Sequence, residues 1–334
     1  MMSHSPRRLL MLACALMALS YAQFSTGQSI NQQKKAVVFI FGTVHPINPD
    51  RSAITDTEGH RVAVEIPLGT GFFVDYPNQG RGSRYKVSYL VTAKHVLQDA
   101  DGSFLPNVKI RLNLKYPVGD SEFGFITDIP VTDAQGHLLW FHSENQAEDV
   151  VATPLFPDDR EFDVTAIPTT MFLNGRTLQS GAVAEGDELY FIGLMEQYYG
   201  AKRNYPLVRR GTQALLTDED VDIPTGRQRV FIAALESWPG NSGALVFLLR
   251  GHRDTASASV GNVGFLGIVV ASFMNKVSIP LITEPPGRQL EGGDKANTGM
   301  TCIVPAAVIV EVLGSLPAQL DRDARIQRVP GQEP

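Results

Sequence analysis

Short runs of β-branched and aromatic residues, each closed by Gly, Pro, Asn or Asp, recur along most of the chain and restrict it to an all-β architecture. Runs at 36–41, 61–66, 71–74, 87–92, 108–114, 137–141 and 150–155 form a first set. A second set lies at 188–194, 206–208, 212–216, 230–235, 244–249, 265–271 and 301–304. Runs this short fit strands rather than helices. Helical periodicity is confined to 305–313, where Pro305 suits a first helical turn. The pattern is that of closed barrels or a sandwich. The two sets meet somewhere within 168–186, which divides the chain into units at 36–170 and 171–315. The stretch 275–299 holds Pro280 and several glycines and is expected to be a long surface loop. Residues 23–35 read as a flexible, Gln-rich lead-in and 316–334 as a frayed polar tail.

The first 22 residues form a separate piece. Arg7 and Arg8 precede an apolar run at 9–19, and Ser20-Tyr21-Ala22 is a small-x-small cleavage pattern, so 1–22 is expected to be a secretory signal peptide. The apolar run falls short of the roughly 20 residues needed to span a bilayer, so no stable membrane insertion is expected after cleavage. Cleavage removes both arginines and takes the formal net charge from −6 to −8. It also removes Cys14 and leaves Cys302 alone, so the mature fold has to rest on burial rather than on an internal disulfide. With 43% hydrophobic and 19% charged residues the chain has the makings of a packed core. Its acidic balance argues against nucleic acid and anionic membranes as partners. None of the seven histidines falls in a metal-ligand spacing, so neither a metal nor a cofactor is expected.

One stretch stands out chemically. Ser242 sits in Pro239-Gly240-Asn241-Ser242-Gly243, where two glycines permit a turn tight enough to turn a hydroxyl and backbone N–H groups toward one point. Acyl transfer needs that geometry together with a base and an anion site. By itself the sequence is equally an ordinary turn before a strand. His95 has the setting of a base, because an apolar strand at 89–92 runs through Ala93 and Lys94 directly into it. A lone histidine in such a place is more often simply packed. A carboxylate to orient the imidazole has two candidates: Asp149, ahead of Val150-Val151-Ala152, and Asp163, ahead of Val164-Thr165-Ala166. Asp149 opens the longer apolar run and is preferred.

Taken together, Gly69-Thr70-Gly71-Phe72-Phe73-Val74, Thr92-Ala93-Lys94-His95-Val96, Asp149-Val150-Val151-Ala152, Pro239-Gly240-Asn241-Ser242-Gly243 and Gly264-Phe265-Leu266-Gly267-Ile268-Val269 resemble the chymotrypsin-like serine peptidases, in particular bacterial HtrA-related forms. The order is His, Asp, Ser, with successive members 54 and 93 positions apart. In α/β-hydrolases the serine comes first, and their Gly-x-Ser-x-Gly elbow is broken here by Ala244. The resemblance implies two six-stranded antiparallel β-barrels with a short C-terminal helix. It implies a triad of His95, Asp149 and Ser242, an oxyanion hole from the backbone N–H groups of Gly240 and Ser242, and peptide pairing along Val269, Val270 and Ala271. Glu236, six residues before Ser242, falls where such folds line the primary specificity pocket; an exposed loop position is the plainer reading. Asn241 stands where many secreted animal members carry Asp, so activation by a newly cut N-terminus is not carried over. Nor are PDZ-dependent cage assembly and regulation, since no PDZ-sized region follows residue 315.

The leading expectation is an exported serine endopeptidase, periplasmic or extracellular, acting on protein or peptide substrates. A catalytically silent peptide-binding module on the same fold is the alternative, and esterase activity with the same triad is a third.

Overall fold

A computed structural model describes residues 30–50, 52–77, 86–155, 157–179, 183–249, 263–280 and 291–327. The segment read as a signal peptide lies outside them. After a helical turn at 30–35 (α1), the first unit contains β1 (Val37–Val44), β2 (Val64–Pro77), β3 (Lys86–Thr92), β4 (Asn107–Val118), β5 (Ser121–Pro130), β6 (Phe141–His142), β7 (Val151–Pro154) and β8 (Ile167–Pro168). Its hydrogen-bonded order is β5-β4-β1-β2-β3-β7-β6, and β8 adds to β2 in parallel. The expected six-stranded barrel is thus an eight-stranded sheet whose pairing runs open among the described residues. The eighth strand finds room on β2, which is 14 residues long. It pairs with β1 as far as Phe72, and β8 takes over the same edge at Val74 and Asp75 once β1 has ended.

The second unit begins after a short helix, α2 (Gly175–Gln179). It contains β9 (Glu188–Gly193), β10 (Leu207–Leu215), β11 (Asp220–Ile223), β12 (Gly226–Arg229), β13 (Phe231–Ala234), β14 (Leu245–Leu249), β15 (Val263–Pro280) and β16 (Glu291–Pro305). Six of them close a barrel in the order β10-β13-β16-β15-β14-β9, and β11 and β12 form a separate hairpin. Closure covers both edges of these strands along their paired stretches, leaving open only the parts that run beyond the pairing. The segment expected as a loop at 275–299 is largely strand: β15 and β16 pair from Met274 with Asn297 out to Pro280 with Glu291. Pro280 falls on the last residue of its strand, where its missing N–H costs the ladder least.

Two helices finish the described chain, α3 (Ala306–Gly314) and α4 (Leu316–Gln327). The first follows Pro305 as its sequence suggests. The second occupies most of the supposed polar tail. Its polar surface hides its anchors: Ala318 is buried, and Arg322, also buried, donates to Tyr89 Oη at 3.2 Å and to the Leu313 carbonyl while lying over the Tyr76 ring. The lead-in is likewise held in part. Gln33 is buried and accepts a 2.6 Å hydrogen bond from Tyr190 Oη, and Lys35 pairs with Asp163.

The two units share an apolar wall. Phe265 of β15 lies 5.6 Å from Phe72 of β2, 4.6 Å from Phe172 and 5.4 Å from Phe247, ring centre to ring centre. At about 1.5–3 kcal/mol for each fully buried large apolar side chain, these rings make the junction a core rather than a hinge. The junction therefore holds groups from the two units in register.

Candidate active site

His95 lies in a 3-10 turn, Lys94–Leu97, that continues β3 after the fully buried Ala93. Asp149 lies two residues ahead of β7. Because Thr92 of β3 pairs with Val151 of β7, the end of one strand and the approach to the other are neighbours, and His95 and Asp149 are brought together by strand register. Ser242 comes from the second unit, in the turn between β13 and β14.

The three side chains form one hydrogen-bonded line. Asp149 Oδ2 lies 2.5 Å from His95 Nδ1, and Asp149 Oδ1 accepts the His95 backbone N–H at 2.9 Å. His95 Nε2 lies 2.7 Å from Ser242 Oγ. A carboxylate only accepts, so the proton belongs on Nδ1, and Nε2 is left as acceptor for the serine hydroxyl. Asp149 is 2% exposed, whereas the His95 side chain is 31% exposed. The carboxylate is thereby shielded while the ring stays open to an incoming molecule. The other acid candidate, Asp163, is bound to Lys35 at 2.8 Å.

The backbone of the serine turn is spent selectively. The N–H groups of Asn241, Gly243 and Ala244 donate to the carbonyls of Trp238, Val269 and Asn241. Those of Gly240 and Ser242 have no acceptor among the described residues. Gly240 has φ 90° and Gly243 φ 83°, left-handed values that glycine adopts without strain. At Gly243 a Cβ would also come within 2.0 Å of the Thr70 carbonyl oxygen, so no larger residue fits.

Thr70 is the link that sequence reading missed, although it stands inside the quoted Gly69-Thr70-Gly71. Fully buried on β2, it donates from N to the Ser242 carbonyl at 2.8 Å and from Oγ1 to the Gly240 carbonyl at 2.9 Å. Oγ1 also accepts the Leu194 N–H at 2.8 Å, and the Thr70 carbonyl accepts from Thr92 Oγ1. One residue of the first unit thus fixes both ends of the serine turn. Asn241, buried, faces the other way: its Oδ1 accepts the Trp238 N–H at 2.7 Å and its Nδ2 donates to the Leu194 carbonyl at 2.5 Å. An aspartate there would lose that donor, which accounts for the amide in place of an acid. Gln228 of β12, also buried, accepts the Asp149 N–H at 2.9 Å. Nothing in the local pattern around residue 228 signals this contact.

The remaining expectations fare differently. Glu236 is exposed and bound to Arg209 Nη2 at 2.9 Å, so it presents no buried acid. What faces inward beside it is Ser237, whose hydroxyl joins those of Ser272 and Thr301. Val269 is committed within the protein, its N–H to the Ala244 carbonyl and its carbonyl to Gly243 N–H, so it has no backbone groups for a bound peptide. Val270 is buried and Ala271 half-buried; the β14 pairing of β15 has stopped at Ile268, leaving that edge without a partner strand there among the described residues. Burial pushes the Cys302 thiol up to about 12, a packed residue rather than a nucleophile. Burial also holds the Lys94 ammonium below its ordinary range.

An all-β chain with a closed six-stranded barrel packed on a second sheet, and with a His–Asp pair from one unit meeting a serine turn from the other, fits the chymotrypsin-like fold that its sequence motifs resemble. Solved structures similar to the chain include two of the HtrA-type protease AlgW with a decapeptide, one of them a variant, each 16% identical. Their TM-scores are 0.47 and 0.44, over 87% and 86% of this chain, and the chain spans 66% and 65% of theirs. Another is the apo MamO protease domain from Magnetospirillum magneticum, 14% identical, with a TM-score of 0.41 over 84% of this chain and 96% of that one. No family model matches the chain, and no curated protein does. Among the described residues no helix is long and apolar enough to cross a membrane.

Proposed function

We propose that this protein is an exported serine endopeptidase. The observation that carries the reading is the unbroken line Asp149–His95–Ser242 beside two backbone N–H groups left without acceptors among the described residues. His95 takes the Ser242 proton as Oγ attacks a peptide carbonyl, and Asp149 holds the ring and balances its charge. The carbonyl oxygen, now anionic, accepts from Gly240 and Ser242 N–H, a contribution of about 2.7–4 kcal/mol for a donor of this kind. His95 then gives its proton to the departing amine, leaving an acyl-serine. A water, deprotonated by the same ring, hydrolyses the ester and restores the hydroxyl. An extended substrate adds to the open β15 edge from Val270 and Ala271 onward, by main-chain pairing.

The test is labelling of purified protein with a fluorophosphonate, site mapping by mass spectrometry, and turnover of casein-derived peptides. Labelling at Ser242, abolished in His95→Ala, is expected. Folded wild-type protein that neither labels nor cleaves would overturn the reading in favour of a silent peptide-binding module. Export is tested by N-terminal sequencing of protein recovered outside the cytoplasm, with a mature end at Gln23 expected.

A further inference from the structure

Resting on that reading, we infer that Arg229 is a positioning residue for the triad acid, acting through Glu148. Glu148 precedes Asp149 directly, is 1% exposed, and receives Arg229 Nε at 2.6 Å and Nη2 at 2.5 Å on Oε1. Its other oxygen, Oε2, is buried with no hydrogen-bond partner among the described residues. A buried carboxylate supported on one oxygen depends on its single cation. That cation is itself fixed from outside: Arg229 Nη1 and Nη2 reach the two carboxylate oxygens of Glu311 at 3.0 and 2.6 Å. Glu311 belongs to α3, Arg229 to β12, and the acid loop to the first unit, so three separated stretches of chain converge on one guanidinium. The neighbouring Gln228 accepts the Asp149 N–H, so β12 grips two consecutive residues of the acid loop. The contacts with Glu311 and Glu148 also hold Arg229 above the ordinary arginine range, as a doubly paired cation requires.

The consequence is electrostatic as well as mechanical. The charged groups around Glu148 are Asp149 on its own loop, Lys94 and His95 on the 3-10 turn, Arg229 on β12 and Glu311 on α3. Lys94 donates to the Gln146 carbonyl and interacts with both acids only through space. Taking away Arg229 leaves the buried Glu148 charge uncompensated next in sequence to Asp149, the one carboxylate in contact with His95, and that added negative charge favours the protonated, inactive ring.

The experiment follows two readouts in the full chain: the fluorophosphonate labelling rate of Ser242 against pH, and the downfield proton resonance of the His95 ring N–H held by Asp149. Arg229→Met is expected to lower the rate at least tenfold, and to move both the acid limb of the rate and the pH at which the resonance changes upward by about half a unit. Arg229→Met with Glu148→Gln removes the stranded charge and is expected to return both limbs to their wild-type pH. Should Arg229→Met fail to fold, Arg229→Lys keeps the charge but not the two-sided fork, and is expected to keep the limb while labelling more slowly. A variant that loses thermal stability with both limbs unmoved would make Arg229 a structural staple and overturn the inference. Because the resonance needs no turnover, it reports on the inference even if wild-type protein proves inactive.

Discussion

Replacing Thr70 by Val tests whether the first unit shapes the serine turn. The two side chains match in volume, and position 70 is fully buried, so the change removes a hydroxyl and little else. That hydroxyl serves two partners, the Gly240 carbonyl at 2.9 Å and the Leu194 N–H at 2.8 Å. Stranding a buried polar group costs about 1–3 kcal/mol, so with two partners stranded a loss of about 2–6 kcal/mol in unfolding free energy is expected. The turn has a second response open to it: the peptide units around Gly240, no longer tied to β2, can rotate and carry the Gly240 N–H out of line. Loss of one such donor is worth about 10²–10³ in rate. Denaturant unfolding and the second-order rate of fluorophosphonate labelling would be measured on wild type, Thr70→Val and Thr70→Ser. Serine keeps the hydroxyl and forfeits one methyl, about 0.8 kcal/mol, and should label near the wild-type rate. Thr70→Val that loses less than about 0.5 kcal/mol and labels normally would refute the argument. So would Thr70→Ser if it were as impaired as Thr70→Val.

Asp149→Asn is expected to lower the labelling rate about 10⁴-fold by stabilising the wrong histidine tautomer, while Asp163→Asn, which only breaks the pair with Lys35, leaves the rate unchanged. Gly243→Ala places a methyl against the Thr70 carbonyl at φ 83°, so soluble protein should be scarce and unlabelled; a folded, reactive Gly243→Ala would contradict the geometry. Cys302 supplies a pH dependence. Its folded value is raised from 9.0 to about 12, so between those limits the unfolded chain releases a proton that the folded chain keeps. Stability should therefore be intact below pH 9 and fall above it by about 1 kcal/mol per pH unit, and Cys302→Ala should flatten that slope in denaturant melts at pH 8–11.

The division of labour between units explains why the serine turn needs support from so far away in the chain. Ser242 and its N–H groups belong to the barrel, whereas His95 and Asp149 belong to the sheet, and a displacement of about 1 Å between them would break the 2.7 Å contact on which the proposed proton transfer depends. The aromatic wall around Phe265 sets the two units against each other, and Thr70 then makes the adjustment local. On the acid side Gln228 does the same across the junction.

Local chemistry on the sequence was enough to determine the strand-rich class and to mark Ser242, His95 and two candidate acids, Asp149 and Asp163, which only their joint family resemblance drew together. Strands announce themselves by β-branched runs, and a turn that needs φ near 90° announces itself by Gly240 and Gly243. Positions whose role depends on a distant partner carry no such mark. Thr70 looks like any strand threonine until Ser242 and Gly240 are folded against it, and Gln228 reads as a surface glutamine until Asp149 arrives. The helix at Leu316–Gln327 needed Tyr76 and Tyr89 to shelter Arg322, and the strands across 275–299 take their order from backbone pairing between β15 and β16 rather than from a side-chain pattern. Hydrogen bonds between residues more than 120 apart in the chain are decided by the packing of the two units, which is why the tertiary structure alone could say which polar residues hold the site together.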